Sequence, residues 1–295
     1  MIELQLSHDA SEIVPYNLAN LMIHAKTYWL SYYPNMSMVS HWHNDFEFII
    51  CLEGQMLYFV NGTELLLNKG QGIFVNAGML HYGRTIKSQD DCQFLCMLFH
   101  PSLFNINSFL QDNFALSISQ NQTFPFLLLS PNVDWQQSIL TKLHIIYEVI
   151  TLQNNGFELV VLSHFYALWH TLYLNLSYTN NRQPLVIDKR LSALQLMIGF
   201  LQKDYSKHIT LNQIALAGSV CRSSCCDIFR EFIHMTPMQY LTNLRIEKSI
   251  EYLMNTALSV TEIALLCGFN SSSYYTELFR REVGKTPTDY RKTHN

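Results

Sequence analysis

Three histidines and one glutamate in the first third of the chain are of the types that bind divalent metals or hydrogen-bond small ligands. His41 and His43 are separated by one residue, Glu47 follows four positions later, and His81 lies further along. Neutral imidazoles together with one carboxylate suit zinc, nickel, iron or manganese. Without a metal, the same side chains could form the polar wall of a ligand pocket. Either function requires a fold that brings the four side chains together.

A second group of candidate residues lies in the C-terminal third, where the sequence repeats itself. Phe229-Arg230 and Thr236-Pro237 recur 50 positions later as Phe279-Arg280 and Thr286-Pro287. The matching upstream residues, displaced by 49, are Thr210 with Ile214-Ala215 and Ser259 with Ile263-Ala264. A repeat of this length indicates one supersecondary unit that has been copied. Each copy predicts a helix, a tight turn and a second helix, and two such units in tandem point to DNA.

The helix ends of both copies can be predicted from capping and turn residues. In the first copy Thr210 caps a helix, Gly218 permits the turn and the second helix begins near Cys221. In the second copy the candidates are Ser259 or Thr261 for the first cap, Gly268 for the turn, and Asn270 or Ser271 for the second cap. A connecting helix from Pro237 to Met254 joins the copies, with Tyr240, Leu241, Leu244, Ile250 and Leu253 facing inward.

The second helix of each copy carries an apolar stripe that predicts which side chains face outward. The stripes are Cys225, Ile228, Phe229 and Phe232 in the first copy and Tyr275, Leu278 and Phe279 in the second. Outward residues near such a helix N-terminus can contact bases, and the basic ones suit phosphates. The predicted DNA-binding residues are Arg222, Ser223, Cys226 and Asp227, then Ser272, Ser273, Thr276, Glu277, Arg280, Arg281 and Lys285.

The charge distribution agrees with a DNA-binding C-terminal part. The chain has a formal charge of −4, but residues 1–188 hold 6 Lys+Arg and 14 Asp+Glu (−8), whereas residues 189–295 hold 13 and 9 (+4). Lysine and arginine side chains can replace the counterions along a phosphate backbone. A charge of +4 is also compatible with an ordinary solvated surface, so the charge alone does not decide the function.

The C-terminal sequence resembles the DNA-binding domain of the AraC/XylS family of bacterial transcription regulators over residues 190–293. The motif comprises Ile263-Ala264, Gly268-Phe269, Ser273-Tyr274-Tyr275, Phe279-Arg280-Arg281, Gly284, Thr286-Pro287 and Tyr290-Arg291, with Tyr240-Leu241 and Leu244-Arg245-Ile246 in the connector. The resemblance implies two reading helices in successive major-groove segments. Three residues depart from the family pattern: Cys221 replaces a Ser cap, His234 replaces Gly, and Asp227 replaces a basic or polar reader. Asp227 could accept from a cytosine amino group, but we favour a pairing with Arg230 or another cation.

The N-terminal part predicts a small β-barrel or sandwich. Its short β-branched and aromatic runs are 46–52, 56–60, 65–67, 72–76 and 92–99, and Asn61-Gly62 predicts a hairpin turn. The spacing of His41, His43, Glu47 and His81 resembles the two motifs of the cupin barrel, although Asn76 and Thr85 replace the usual Pro and Asn. The resemblance implies that three imidazoles and one carboxylate converge inside the barrel. Trp29, Tyr58 and Tyr82 are further candidates for the cavity wall, or for core filling.

Two helices, Trp135 to Gln153 and Phe157 to Leu176, are predicted to follow the barrel, with a turn at Asn154-Asn155-Gly156. The second helix carries a broad apolar stripe at Leu159, Leu162, Phe165, Tyr166 and Trp169. Packing on the barrel would cover part of this stripe. A two-fold homodimer would cover the rest, as the family resemblance implies, and an intrachain helix pair is the alternative.

These observations predict an α+β protein of two domains. Residues 1–178 form a cupin-like effector-binding and dimerisation domain, residues 179–189 a linker, and residues 190–295 an all-α domain with two helix-turn-helix motifs. Seven cysteines without a paired framework, and no N-terminal targeting pattern, favour a cytoplasmic protein with reduced thiols. Glu158, His164, His170 and Asn175 interrupt the apolar run 157–176, so no membrane span is expected.

The predicted function is sequence-specific transcription regulation, with a small molecule bound at His41, His43, Glu47 and His81, and the family analogy makes a sugar the first candidate. Activation is the favoured direction, and the expected partners are double-stranded promoter DNA, the effector, RNA polymerase and a second copy of the chain. No catalytic residue is identified and no cofactor is expected beyond a divalent metal at the same four residues. The alternatives are a metal-dependent cupin enzyme or a metal sensor with an accessory DNA-binding module, or a regulator that senses a partner protein.

Overall fold

The structure is a computed structural model that describes residues 11–87, 90–105, 107–119, 124–177 and 189–294. These residues form two compact units. One contains residues 12–30 and 41–177, and the other contains residues 11, 31–40 and 189–294. The predicted linker 179–189 lies outside the described residues except for Lys189, which already belongs to a helix.

Among the described residues, eight antiparallel strands in two sheets form the β part of the first unit. They are β1 (Ile23–Trp29), β2 (Phe46–Glu53), β3 (Gln55–Val60), β4 (Thr63–Asn68), β5 (Gly72–Val75), β6 (His81–Arg84), β7 (Gln93–Phe99) and β8 (Phe126–Leu129). The five-stranded sheet has the order β1-β7-β2-β5-β8 and the three-stranded sheet the order β4-β3-β6. The five predicted runs are therefore confirmed as strands. The β3–β4 hairpin turns at Asn61 and Gly62, both with positive φ (47° and 82°), as predicted.

Short helical turns and two long helices complete the first unit. The turns are Ala19–Leu21, Pro101–Phe104, Ser108–Leu110, Gln111–Ala115 and Leu116–Ser119, and a further turn, Leu30–Tyr32, includes residues of both units. The long helices are α1 (Asp134–Leu152) and α2 (Phe157–Ser177), close to their predicted bounds. Among the described residues, no helix combines the length and apolarity needed to cross a membrane.

The register of the five-stranded sheet separates two faces. Phe46, Phe48 and Phe99 lie on the face that packs against the helices, with Trp169 of α2 at 4.4 Å from Phe46 between ring centroids. Glu47 alternates to the other face, which lies towards the interior of the barrel. Because side chains alternate along a strand, a polar glutamate is placed inside while its phenylalanine neighbours form the helix-covered core.

The apolar stripe of α2 is only partly covered by this chain. Phe165 and Trp169 are buried together with Val161, but Leu159 is 73% exposed. The buried face therefore runs through Val161, Phe165, Leu168, Trp169 and Leu172 instead of starting at Leu159. The exposed residues of α2 form a separate face.

Within the described ranges, seven helices form most of the second unit, which also contains a short turn at Pro34–Met36. They are α3 (Lys189–Asp204), α4 (Leu211–Ala217), α5 (Arg222–Ile233), α6 (Pro237–Asn255), α7 (Val260–Leu266), α8 (Ser272–Val283) and α9 (Pro287–His294). The pairs α4–α5 and α7–α8 are the two copies of the repeat, and α6 is the predicted connector. Its predicted inward residues, Tyr240, Leu241, Leu244, Ile250 and Leu253, are all buried.

Local capping explains why these short helices begin where they do. Thr210, Thr236 and Ser259 each accept a hydrogen bond from the backbone N–H three residues on, and Gln213, Gln239 and Glu262 bond back to the cap residue. Of the two predicted caps, Asn270 and Ser271, it is Ser271 that caps α8. Cys221 precedes α5 and its side chain makes no capping bond.

The turn of the first copy differs from the prediction. Gly218 has a negative φ of −87°, and the left-handed residue is Ser219 (φ 54°), whereas the second copy uses Gly268 (φ 82°). Gly218 is instead required by packing, because a Cβ atom there would lie 2.7 Å from Cγ of Met197. The glycine therefore allows α4 to approach α3 closely.

Candidate functional site

The four chemistry-bearing residues of the N-terminal part meet inside the barrel. His41 and His81 exchange backbone hydrogen bonds of 3.1 and 2.9 Å, and their ring centroids are 4.4 Å apart. The His43 ring lies 4.9 Å from that of His81. His43, His81 and Glu47 are at most 3% exposed. The structure thus places His41, His43, Glu47 and His81 in one buried cluster, named here the imidazole cluster.

Glu47 is the centre of this cluster. Its Oε2 lies 2.9 Å from Nε2 of His81 and 3.9 Å from Nε2 of His43, and it accepts a hydrogen bond of 3.1 Å from the hydroxyl of Tyr58. Cys96 contributes a thiol 3.6 Å from Oε1. Burial by itself would raise the pKa of Glu47, but the neighbouring imidazoles, His81 above all, bring it below its usual value. The carboxylate is therefore ionised at neutral pH.

His81 and His43 differ in protonation although both are buried. Nδ1 of His81 donates to the carbonyl of Met79 at 2.8 Å, and Nε2 forms an ion pair with Oε2 of Glu47 at 2.9 Å. Burial lowers the pKa of His81, but the charge of Glu47 outweighs burial and raises it. Burial and the charge of His81 lower the pKa of His43 to about 3, so this ring is neutral. The cluster thus offers one ion pair and one neutral imidazole.

Several residues of this site were not found from the sequence. Glu12 places Oε2 at 3.3 Å from Nε2 of His41, and burial raises its pKa to about 8. Tyr16 donates a hydrogen bond of 2.7 Å to the buried Asp45. Both Glu12 and Tyr16 precede the first strand, so no strand pattern or motif spacing could have placed them here.

Of the three aromatic candidates, only Tyr58 lies at the site. Tyr82 stands opposite Phe59 in the β3–β6 pairing and stacks on it at 4.5 Å, on the face away from Tyr58. Trp29 stands opposite Gln93, on the helix-covered side of the large sheet. Residues one position apart in a strand point to opposite faces, so neither Trp29 nor Tyr82 reaches the cluster.

The donor set fits a divalent cation as well as an organic ligand. One nitrogen from each of His41, His43 and His81 lies within 4.8 Å of the others, and the bond from Nδ1 of His81 to Met79 directs Nε2 into the cluster. Glu47 supplies a carboxylate next to them. These are the residues that would hold a metal, and the same groups can hydrogen-bond hydroxyl groups.

The second candidate site is the outward surface of α8. An open cleft of about 700 Å³ is bordered by the second copy of the repeat. It brings together six of the predicted DNA-binding residues: Ser272, Ser273, Thr276, Glu277, Arg280 and Arg281. Lys285 is exposed beyond the end of the helix and does not line the cleft. Tyr275, Leu278 and Phe279 are buried beneath the helix, as predicted.

The corresponding surface of α5 has a different character. Arg222, Ser223 and Asp227 are exposed and Cys226 is half-buried. Asp227 lies 3.8 Å from Arg230, the pairing that the sequence favoured. The Cys221 thiol is 3.1 Å from the hydroxyls of Ser223 and Ser224, and these contacts lower its pKa to about 7. In the first copy, the Asp227 carboxylate and the Ser223 hydroxyl thus already have partners within the same helix and its cap.

Models of known protein families match both parts of the chain. Residues 30–168 match the family model of the AraC-like ligand binding domain, and residues 214–293 match a helix-turn-helix domain model. An uncharacterized HTH-type transcriptional regulator, YdeC of Bacillus subtilis, is 29% identical over 85% of this chain and 85% of its own. The melibiose operon regulatory protein of Escherichia coli is 24% identical over 88% of this chain and 85% of its own. Other relatives are named as transcriptional activators.

Among solved structures, ToxT of Vibrio cholerae is similar over 92% of this chain and 98% of its own, with 13% identity and a TM-score of 0.46.

Proposed function

This chain belongs to the AraC family of transcriptional regulators, which are not enzymes, and on that premise we propose that it activates transcription when a small molecule binds in its barrel. The observation that supports an effector site best is the imidazole cluster, where buried donors and acceptors converge inside a domain of the ligand-binding type. DNA binding belongs to the helix-turn-helix domain. Base reading by α5 and α8 is part of the proposal.

A neutral, hydroxyl-rich effector such as a sugar agrees with the chemistry of the imidazole cluster. The ionised Glu47 can accept hydrogen bonds, and the neutral His43 can donate from one ring nitrogen and accept at the other. The relative named for the melibiose operon supports a sugar as the first ligand to screen. Binding would act by favouring one arrangement of the subunits or domains over another.

Ligand-dependent thermal stabilisation tests the effector site. Mono- and disaccharides are screened against the full chain, and a ligand that binds the folded state raises Tm increasingly as its concentration exceeds Kd. Glu47→Gln should abolish the shift. Glu53→Gln, at an exposed carboxylate of the same strand, should keep it. A shift that survives Glu47→Gln would place the ligand elsewhere. Protection by a purified partner protein instead would favour the protein-sensing alternative.

A metal sensor is the second candidate, favoured by the three imidazole nitrogens within 4.8 Å. Metal analysis of the purified protein separates the two candidates. Stoichiometric zinc, nickel, iron or manganese that is lost in His43→Ala but kept in His144→Ala, an exposed histidine of α1, would establish the metal site. If the purified protein contains no metal and added metal does not change its Tm, the organic effector becomes the favoured candidate.

Specific DNA reading is tested by fluorescence anisotropy. The protein is titrated into its own upstream DNA and into a scrambled duplex of equal length, at several salt concentrations. A preference that persists at physiological salt and is lost in the Ser272→Ala/Thr276→Ala double variant supports base reading by α8. Equal and steeply salt-sensitive binding to both duplexes would indicate phosphate attraction alone. The same variant in an in vitro transcription reaction with RNA polymerase tests activation.

We further propose a cytoplasmic homodimer that forms through the exposed face of α2. Val160, Ala167 and Leu174 recur along that face at seven-residue spacing, and Leu159 beside them is 73% exposed. Sedimentation velocity of Leu159→Glu with Leu174→Glu should show monomers where the parent chain forms dimers. Leu66→Glu, an exposed leucine on β4, serves as the control and should leave the dimer intact.

A further inference from the structure

Helices α5 and α8 each carry an acidic residue at the same position of the repeat, Asp227 and Glu277, 50 residues apart. The two carboxylates differ in their ion pairing. In α5, Asp227 is paired with Arg230 at 3.8 Å. In α8 the equivalent residues are Glu277 and Arg280, and within the described ranges no hydrogen bond or ion pair engages the Glu277 carboxylate. The duplicated scaffold therefore presents one compensated and one uncompensated carboxylate.

Glu277 is placed where bases would be read. It is exposed and lines the cleft together with Ser272, Ser273 and Thr276, on the opposite side of α8 from the buried Tyr275. The hydroxyl of Thr276 donates to the backbone carbonyl of Ser272 at 2.8 Å, so its donor is already used. Serine can contact any base, whereas an ionised carboxylate can only accept. Among these side chains, Glu277 therefore restricts the choice of base most strongly.

A carboxylate near DNA is repelled by the phosphates unless it accepts a hydrogen bond from a base. In the major groove only the N4 amino group of cytosine and the N6 amino group of adenine donate. The N6 amino group of adenine is flanked on both sides by acceptors that repel a carboxylate, its own N7 and the O4 of the paired thymine, whereas N4 of cytosine has an acceptor on one side only, the O6 of the paired guanine. Cytosine is therefore the favourable partner.

We propose that Glu277 is a specificity-determining residue that selects a cytosine in the DNA segment read by α8. The inference rests on the proposed base reading by that helix. We assign no such role to Asp227, because Arg230 lies 3.8 Å from its carboxylate and competes with a base for it. The two halves of the operator should then differ, with an acid-selected cytosine only in the half that α8 contacts.

The test is selection from a randomised duplex pool with the full chain, followed by anisotropy on the selected site and its three single-base replacements. The parent protein should enrich one cytosine, and replacing that base should weaken binding about 5- to 150-fold. Glu277→Gln should lose this preference and shift it to adenine, because an amide pairs with both N6 and N7. Glu53→Gln, which removes an exposed carboxylate outside the helix-turn-helix domain, is the charge-matched control and should select the parent sequence.

The outcomes distinguish this inference from the proposed function. The parent chain could enrich one site while Glu277→Gln loses as much binding as the parent does for each single-base replacement. This result would overturn the role of Glu277 but support base reading by the protein. Uniformly tighter binding of Glu277→Gln to every duplex would mean that the carboxylate acts only by repulsion, which also overturns the inference. No enrichment by the parent chain would refute sequence-specific reading itself.

Discussion

Replacing Glu47 with glutamine should destabilise the barrel in a strongly pH-dependent way. The carboxylate and His81 are 3% and 1% exposed and 2.9 Å apart. Glutamine keeps an acceptor for Tyr58 but removes the charge that compensates the imidazolium. Removing one partner of a buried ion pair costs about 3–5 kcal/mol in the free energy of unfolding.

The sign of the pH dependence follows from the two pKa shifts. The pKa of Glu47 is lowered, so its contribution is present above its unfolded pKa and is lost as the pH falls. The pKa of His81 is raised, so its contribution is complete below its unfolded pKa, about 6.5, and is lost as the pH rises through the folded pKa. The difference in the free energy of unfolding between parent and variant should thus be largest between about pH 5 and pH 6.5, and it should decrease at alkaline pH.

Tryptophan fluorescence during urea unfolding measures this effect in the first unit, since all four tryptophans lie there: Trp29, Trp42, Trp135 and Trp169. A chelator in the buffer removes any metal. Glu53→Gln is the control, because its pair with Lys69 is more than half exposed and should contribute less than about 1 kcal/mol. A Glu47→Gln loss below about 1 kcal/mol, or one that is equal at about pH 6 and pH 9, would refute an ionised pair.

Three further substitutions test the DNA-binding unit. Gly218→Ala should cost about 1–3 kcal/mol, measured by circular dichroism during urea unfolding, because its Cβ would lie 2.7 Å from Met197. Arg291→Ala should cost about 1–3 kcal/mol in the same measurement, since its guanidinium donates to the carbonyls of Leu253 and Leu258 at 3.2 and 2.7 Å. Arg280→Ala should weaken binding to all duplexes and reduce the salt slope by about 1, and an effect confined to one sequence would contradict a phosphate contact.

Local signals in the sequence were sufficient for the DNA-binding helices. Caps such as Thr210 and Ser259, and the buried stripe that includes Phe229 and Phe279, depend on neighbours within a few positions. The turn at Ser219 was missed because Gly218 is the residue that usually adopts positive φ, and here its small size serves packing. Helix α3 has no counterpart among the predicted elements.

The barrel was harder to predict because its interior is polar. Strand β1 carries His24 and Tyr28 on the inner face, where Nε2 of His24 lies 2.8 Å from the Tyr28 hydroxyl. Because these inward residues are polar, the sequence of β1 does not show the alternation of apolar inward residues that predicts a strand. Strand β6 has only four residues, including Gly83. The cluster itself was predictable from the spacing of its four members, but Glu12 reaches it from outside every strand, through a contact that no local rule contains.

The two units also differ in how soon their contacts can form during synthesis. The caps of α4, α6 and α7 are complete once a few following residues exist. Strand β1, in contrast, pairs with β7, which emerges only after five intervening strands. Contacts distant in sequence form slowly, because a long loop must close first. Until β7 is made, the nascent chain therefore carries Ile23 and Ala25 on a strand without its partner, and unpaired strand edges of this kind favour aggregation.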